Sequence, residues 1–203
     1  HSQQTAADKA RAYAAAGSDA RMSGCTLPVI IVSGSGNQGI TASVPIAVYA
    51  EEKGYGEEKM LRAVALSDLL TIYQRQFIGR LSAYCGAVNA GCASAAGIAY
   101  LEGGGFEEVA HTLINSLAAI SGVICDGAKP SCAAKIAASV DAGLLGYDMF
   151  IDKKEFVGGD GIVTYDADET IKNVGILGKE GMKQTDRKIV EIMLKRTACR
   201  NKM

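Results

Sequence analysis

The chain has 203 residues, 48% of them apolar and 21% charged, with a formal net charge of −1. That is enough apolar material for one sizeable core. The near-neutral balance gives no electrostatic pull toward nucleic acid or an anionic membrane surface, so neither is expected as a partner.

Three prolines, no tryptophan and many alanines favour a helical chain, and 24 glycines suggest close helix packing or backbone lying near a ligand. The six cysteines lack the spacing of a disulfide scaffold, and a core of this size needs no staples. Reduced thiols in a cytoplasmic protein are therefore expected. No stretch combines the length and hydrophobicity of a membrane span; "GAVNAGCASAAGIAYL" is apolar but built from small residues and broken by Asn89. No signal peptide is visible. The chain opens with "HSQQ", in which His1 and Ser2 read as the remnant of a tag, so the chain is expected to be the C-terminal part of a longer protein.

In chain order, 5–22 is alanine-rich and predicts a helix. "TLPVIIVSGSGNQGI" follows, a short β-branched run entering a glycine-rich loop, and from Ser43 the pattern turns helical until Gly54. "GEEKMLRAVALSDLLTIYQRQFIGR" is the clearest amphipathic helix, with Met60, Ala63, Val64, Ser67, Leu70, Ile72 and Phe77 near a 3.6 period. Its acidic start and Arg80 at its end suit the helix dipole. Two further helices are predicted over 82–101 and 106–124, the second opened by a glycine-rich turn. Another is predicted over 130–145. The tail has a short extended piece at 161–164 and two shorter helices within 166–178 and 181–194. With no internal repeat or low-complexity linker, the fold expected is mainly α: a single helical domain over 1–203 with at most a short strand or hairpin near 160–165.

The loop "VICDGAKPSC" places Cys125 and Cys132 on either side of an Asp-Gly turn and a helix-starting proline. Cys125 is expected to end one helix and Cys132 to lie in the first turn of the next. There the unpaired N–H groups and the dipole favour the thiolate, the metal-binding form. Either cysteine alone reads as a small buried hydrophobe; a pair around a Gly/Pro loop is better suited to aim two sulfurs at one point. Cys85 and Cys92 offer a third ligand, again with six residues between them. If that stretch is helical, seven residues rise about 10 Å, whereas two sulfurs on one zinc ion lie within about 4 Å. Only one of the two is expected to ligate, and Cys85, followed by Gly86 at the mouth of its helix, is the better placed. Three thiolates leave a metal position open, the mark of a catalytic site. Zinc and an iron–sulfur cluster fit the spacing equally.

"SGSGNQG" is a Gly/Ser loop leading into a helix, suited to presenting N–H groups and short donors to an anion such as a carboxylate. It is not a Walker loop, and its fit to G-x-G-x-x-G lacks the surrounding βαβ unit. The alternative is a plain flexible turn. Asp126 and Lys129, inside the cysteine loop, are solvated charges unless a metal centre lies beside them, in which case either can bind substrate or set protonation. His111 reads as packing or surface, Cys199 as a loose thiol, and Cys25 as ambiguous.

"SGSGNQGI", "CGAVNAG" with "AAGIAYLEGG", and "CDGAKPSCAAKI" together resemble the C-terminal half of the L-cysteine desulfidase family. These are relatives of the iron–sulfur L-serine dehydratase α chain, and include its serine dehydratase-like uncharacterised members. The likeness extends over about 24–194, and the 40 residues from Cys85 to Cys125 also fit it. The resemblance implies a 4Fe-4S cluster held by Cys85, Cys125 and Cys132, with one iron lacking a protein ligand, and no pyridoxal phosphate. It implies β-elimination, in which the uncommitted iron acts as Lewis acid on the substrate's thiol or hydroxyl. A base removes the α-proton, and the aminoacrylate hydrolyses to pyruvate and ammonia, with hydrogen sulfide released from L-cysteine or water from L-serine.

On that reading Ser33, Ser35, Gly36, Asn37 and Gln38 bind a small amino-acid substrate, and Asp126 and Lys129 are the catalytic candidates. Family members are about twice this length, and the desulfidases are thought to draw a cysteine base from an N-terminal part absent here. That missing domain is then a partner, and a homodimer is a further arrangement open to the chain. The alternative from another class is a non-catalytic helical domain with a structural zinc or no metal, acting through protein contacts.

Overall fold

A computed structural model describes residues 4–79 and 82–200, with the side chains of 196–200 excepted. His1, Ser2, Arg80 and the thiol of Cys199 lie outside the described residues. Eight α-helices follow one another with no strand among the described residues, as the composition and periodicity lead one to expect.

Helix α1, Ala6–Met22, opens on a capping box. The Thr5 hydroxyl accepts from the Asp8 N–H at 3.1 Å while the Asp8 carboxylate accepts from the Thr5 N–H at 3.0 Å. Helix α2, Gly36–Lys53, begins earlier than its periodicity indicates, because Ser35 caps it and the glycine-rich stretch forms its first turn. Gly36 and Gly39 are poor helix formers, but tertiary packing holds them: a Cβ on Gly39 would lie 2.0 Å from the carbonyl oxygen of Ile30. Gly54, in the left-handed region at φ 73°, ends the helix. The β-branched run before α2 stays extended without pairing into a sheet, and leaves Leu27, Ile30 and Ile31 exposed.

Helix α3 is Glu57–Ile78 and α4 is Gly86–Leu101. Helix α4 packs against α2, α3, α5 and α6 and is buried around its whole circumference. A helix built mostly of Gly, Ala, Ser and Cys and with no charged residue can occupy such a place because it has no charged face to solvate and lets four neighbours approach closely. The crossing with α6, Cys132–Ile151, shows how closely: a Cβ on Gly143 would sit 2.8 Å from the Gly91 carbonyl, and one on Gly91 2.3 Å from Ser139 Oγ.

Three boundaries differ from the expected ones, and all bear on the site. Helix α4 starts at Gly86 rather than at 82, and helix α5, Phe106–Ile120, stops before 124. The residues released from the two helices meet as a short antiparallel bridge, Tyr84 opposite Ile124. Cys125 therefore lies in an extended segment and does not end a helix. Helix α6 runs on to Ile151. In the tail, 161–164 forms turns around the buried Val163 in place of an extended piece. Helix α7, Ala167–Ile176, passes through a π-helical turn, Leu177–Gly181, to helix α8, Lys183–Arg200. No helix among the described residues is long and apolar enough to cross a membrane.

Candidate functional site

The bridge sets the centre of the site. The N–H of Cys85 donates to the Val123 carbonyl at 3.0 Å, and the N–H of Cys125 to the Ala83 carbonyl at 2.5 Å. Cys85 and Cys125 are thus diagonal neighbours on one face of the bridge, a spacing within side-chain reach. Their sulfurs share a hydrogen bond that raises the pKa of the Cys85 thiol, with burial adding to it, and lowers that of Cys125. The two thiols therefore titrate as a pair and not independently. The Gly127 N–H also favours the Cys125 thiolate, against the cost of its burial. Cys85 is the N-cap of α4 without a capping hydrogen bond of ordinary geometry, although the nearby N–H groups of Ala87 and Val88 favour its charged form.

Cys132 is the first residue of α6. It lines, together with Cys85 and Cys125, a cavity of about 380 Å³. Ser33, Ser35, Asn37 and Gln38 line the same cavity, as do Arg75, Ser82 and Tyr84. Helices α2, α4 and α6 all begin at this cavity, which brings three sets of unpaired N–H groups and three positive dipole ends around it. The two loops named from the sequence, far apart along the chain, are therefore walls of one pocket.

Packing fixes the loop before α2. Arg21 donates to Asn37 Oδ1 at 2.9 Å and lies across Gly36, where a Cβ would meet its Nε at 2.6 Å. Gly36 itself is covered by Arg21 and is not among the lining residues. Ser33 holds a left-handed backbone at φ 49°, uncommon for a residue with a side chain. Gln38 is buried against Gly86, and its Oε1 has no partner among the described residues.

Asp126 and Lys129 do not line the cavity. The Asp126 carboxylate lies 2.6 Å from both Lys129 Nζ and Lys135 Nζ, and Lys135 donates to the Ile124 carbonyl at 2.8 Å. Lys129 and Lys135 hold the Asp126 carboxyl well below the usual carboxylate range. Around Gly127, at φ 96°, this network ties the 124–129 turn to α6. Cys92 is buried in the core, with burial pushing its thiol up to about 12, and packs as an apolar residue. His111, on α5, lies 2.6 Å from Glu155, which follows α6, and the exposed Cys25 is not among the lining residues.

Three lining residues escaped the sequence reading: Ser82, Tyr84 and Arg75. Tyr84, almost fully buried, has its phenol pushed above the ordinary range by desolvation, and its hydroxyl has no partner among the described residues. Arg75 reads in the sequence as one more charge on an amphipathic helix, and no local signal separates it from the others.

The donor set is all sulfur, which suits zinc or iron–sulfur centres and not hard cations. Among the described residues no three His, Cys, Asp or Glu side chains are grouped to hold one metal ion. A cluster accepts each cysteine at a different iron, so its donors need to share a cavity and not a point.

The sequence profile of the serine dehydratase alpha chain family matches residues 2–191. The chain belongs to that family. It is 62% identical over 186 residues to a UPF0597 protein of Desulfitobacterium hafniense, covering 92% of this chain and 43% of that relative. A UPF0597 protein of Treponema denticola is 51% identical over 187 residues, covering 92% of this chain and 43% of the relative. One from Finegoldia magna is 50% identical over 188 residues, at 93% and 45%. The chain thus spans less than half the length of these curated relatives. No solved structure matches it.

Proposed function

We propose that this serine dehydratase alpha-chain family member is the cluster-binding part of a PLP-independent lyase that performs β-elimination on L-cysteine or L-serine. The observation that carries this reading is the meeting of Cys85, Cys125 and Cys132 with the 33–38 loop in one cavity. The three cysteines would hold a 4Fe-4S cluster, in place of the hydrogen bond that Cys85 and Cys125 now share. Its iron without a protein ligand would supply a Lewis acid for the departing hydroxyl or thiol.

The chain's own residues do the remaining work. The N-termini of α2, α4 and α6 favour thiolates and an anionic substrate in the cavity. Ser33, Ser35, Asn37 and Gln38 shape its substrate wall, with Arg21 locking Asn37 and Gly36 in place. Asp126, Lys129 and Lys135 act as a clamp that fixes the 124–129 turn, and so the direction of the Cys125 sulfur. The base that takes the α-proton is assigned to the portion of the protein that the relatives have and this chain does not.

The test is release of pyruvate by the full-length protein, reconstituted without oxygen, on L-cysteine and L-serine in turn, with sulfide measured for the former. Turnover of either substrate supports the reading. A fully reconstituted protein that turns over neither contradicts it.

A further inference from the structure

Between α1 and α2 the chain runs through "TLPVII", 26–31, within a stretch from Met22 to Ala50 that holds no charged residue. Leu27, Ile30 and Ile31 are 75, 80 and 66% exposed, more than any other leucine, isoleucine or valine among the described residues. Single apolar side chains on a surface need no explanation, but three within five positions form a patch that does. The segment is held in place. The Ile30 carbonyl packs on Gly39 of α2 so closely that no side chain fits between them, and the Val32–Ser35 bridge fixes the far end. None of the N–H groups of 26–31 has a hydrogen-bond acceptor among the described residues. Valine and isoleucine in extended backbone with open N–H groups make a strand edge, which natural proteins blunt with charges or proline, or else cover. Pro28 interrupts this one, and no charge guards it.

We infer that 26–31 is the docking edge for the part of the full-length protein that the relatives have and this chain lacks. More than half the length of each of the three relatives above lies outside the matched region, ample to supply a covering segment. An unguarded edge needs a permanent cover. A segment of the same polypeptide provides one, because its effective concentration stays high however dilute the protein is, whereas a second copy would leave the edge open at low concentration. The contact is strand addition: an extended stretch of the missing part pairs with the open N–H groups and buries Leu27, Ile30 and Ile31. Its place in the fold has a consequence. The chain passes directly from this edge into the cavity wall at Ser33, Gly34 and Ser35, so the docked part stands beside the cavity. The inference depends on the length of the relatives and not on what the cavity binds.

The experiment follows amide hydrogen exchange by mass spectrometry in the full-length protein, across a dilution series with light scattering at each step. Without a cover, the amides of 26–31 have no acceptor and exchange at the rate of an unstructured peptide. In the full-length wild type they are expected to exchange about 100-fold more slowly or better, to the same extent at every concentration. In the double variant Leu27→Asp, Ile30→Asp this protection is expected to be lost. Both side chains stand in solvent in the fold described, so the amides of the buried helix α4 are expected to stay protected and report that the variant folds.

Exchange over 26–31 at the unstructured rate in the wild type would overturn the inference, whatever the variant does. Protection that fades on dilution in step with a dimer falling to monomer would give the edge to a second copy and overturn it too. So would protection that survives both aspartates, since the apolar side chains would then not be what the cover holds.

Discussion

Cys85 and Cys125, 40 residues apart in sequence, stand diagonally across a single antiparallel bridge and are joined by a hydrogen bond between their sulfurs. Two helices give up their ends to make this contact: α4 starts late and α5 stops early. Gly122, at φ 107°, turns the chain out of α5 and into the bridge. The result is a sulfur of lowered pKa held by backbone on a fixed segment, facing a cavity lined by a third cysteine.

The hydrogen bond between the sulfurs makes the thiols chemically unequal in the metal-free protein. Only the thiolate is alkylated, and Cys125 has its pKa lowered while Cys85 and Cys92 are raised. Iodoacetamide labelling, followed by peptide mass spectrometry across a pH series, should therefore show Cys125 reacting at pH values where ordinary thiols have gone silent. Cys92 should stay protected throughout. Cys85→Ala removes the hydrogen-bond donor and should move the Cys125 profile to higher pH; an unmoved profile would show that the bridge contact does not set its charge.

The Asp126 clamp predicts an acid-side loss of stability. Its folded pKa is depressed relative to the unfolded chain, so its contribution is present above the ordinary carboxylate pKa and fades as pH falls through that value toward the folded one. The pair is more than a third exposed, so the contribution is about 1 kcal/mol or less. Denaturant titrations of wild type and Asp126→Asn should differ by that amount at neutral pH and converge in acid. A gap that widened in acid would have the wrong sign for this ion pair.

Glycines in two helices predict opposite responses. A Cβ on Gly39 would lie 2.0 Å from a backbone oxygen, which cannot swing aside as a side chain does. Gly39→Ala should lower stability by about 1–3 kcal/mol, the range for overpacking. Gly17, inside α1, would place a Cβ 3.4 Å from Ile40 Cγ2, close to ordinary contact. Gly17→Ala should be neutral or stabilising by up to about 1 kcal/mol. Thermal melts of the two variants, side by side, check the distinction.

Much of this is legible in the sequence, for identifiable reasons. The fold class follows from alanine, sparse proline and helical periodicity, and the burial of α4 from a run with no charged residue. Cys92 is set apart from Cys85 by the rise of a helix alone, and it does lie in the core. Harder to read are places where two distant segments decide the outcome together. The ends of α4 and α5 look helical locally, and only their pairing with each other unwinds them. Helix α2 starts at Gly36 because Ile30 and Arg21 pack on it, which no propensity scale records. Asp126 and Lys129 look catalytic from their place beside two cysteines, yet they bond each other and Lys135 outside the cavity. Arg75 is invisible until α3 is laid beside the mouth of α4.

The central claim, that Cys85, Cys125 and Cys132 together hold one iron–sulfur centre, is tested most directly by iron and sulfide content after anaerobic reconstitution of four single variants. Cys85→Ala, Cys125→Ala and Cys132→Ala are each predicted to lose the bound iron and its visible absorption. Cys92→Ala is predicted to keep both while melting at a lower temperature. Four variants that load iron to the same extent as the wild type would contradict the claim.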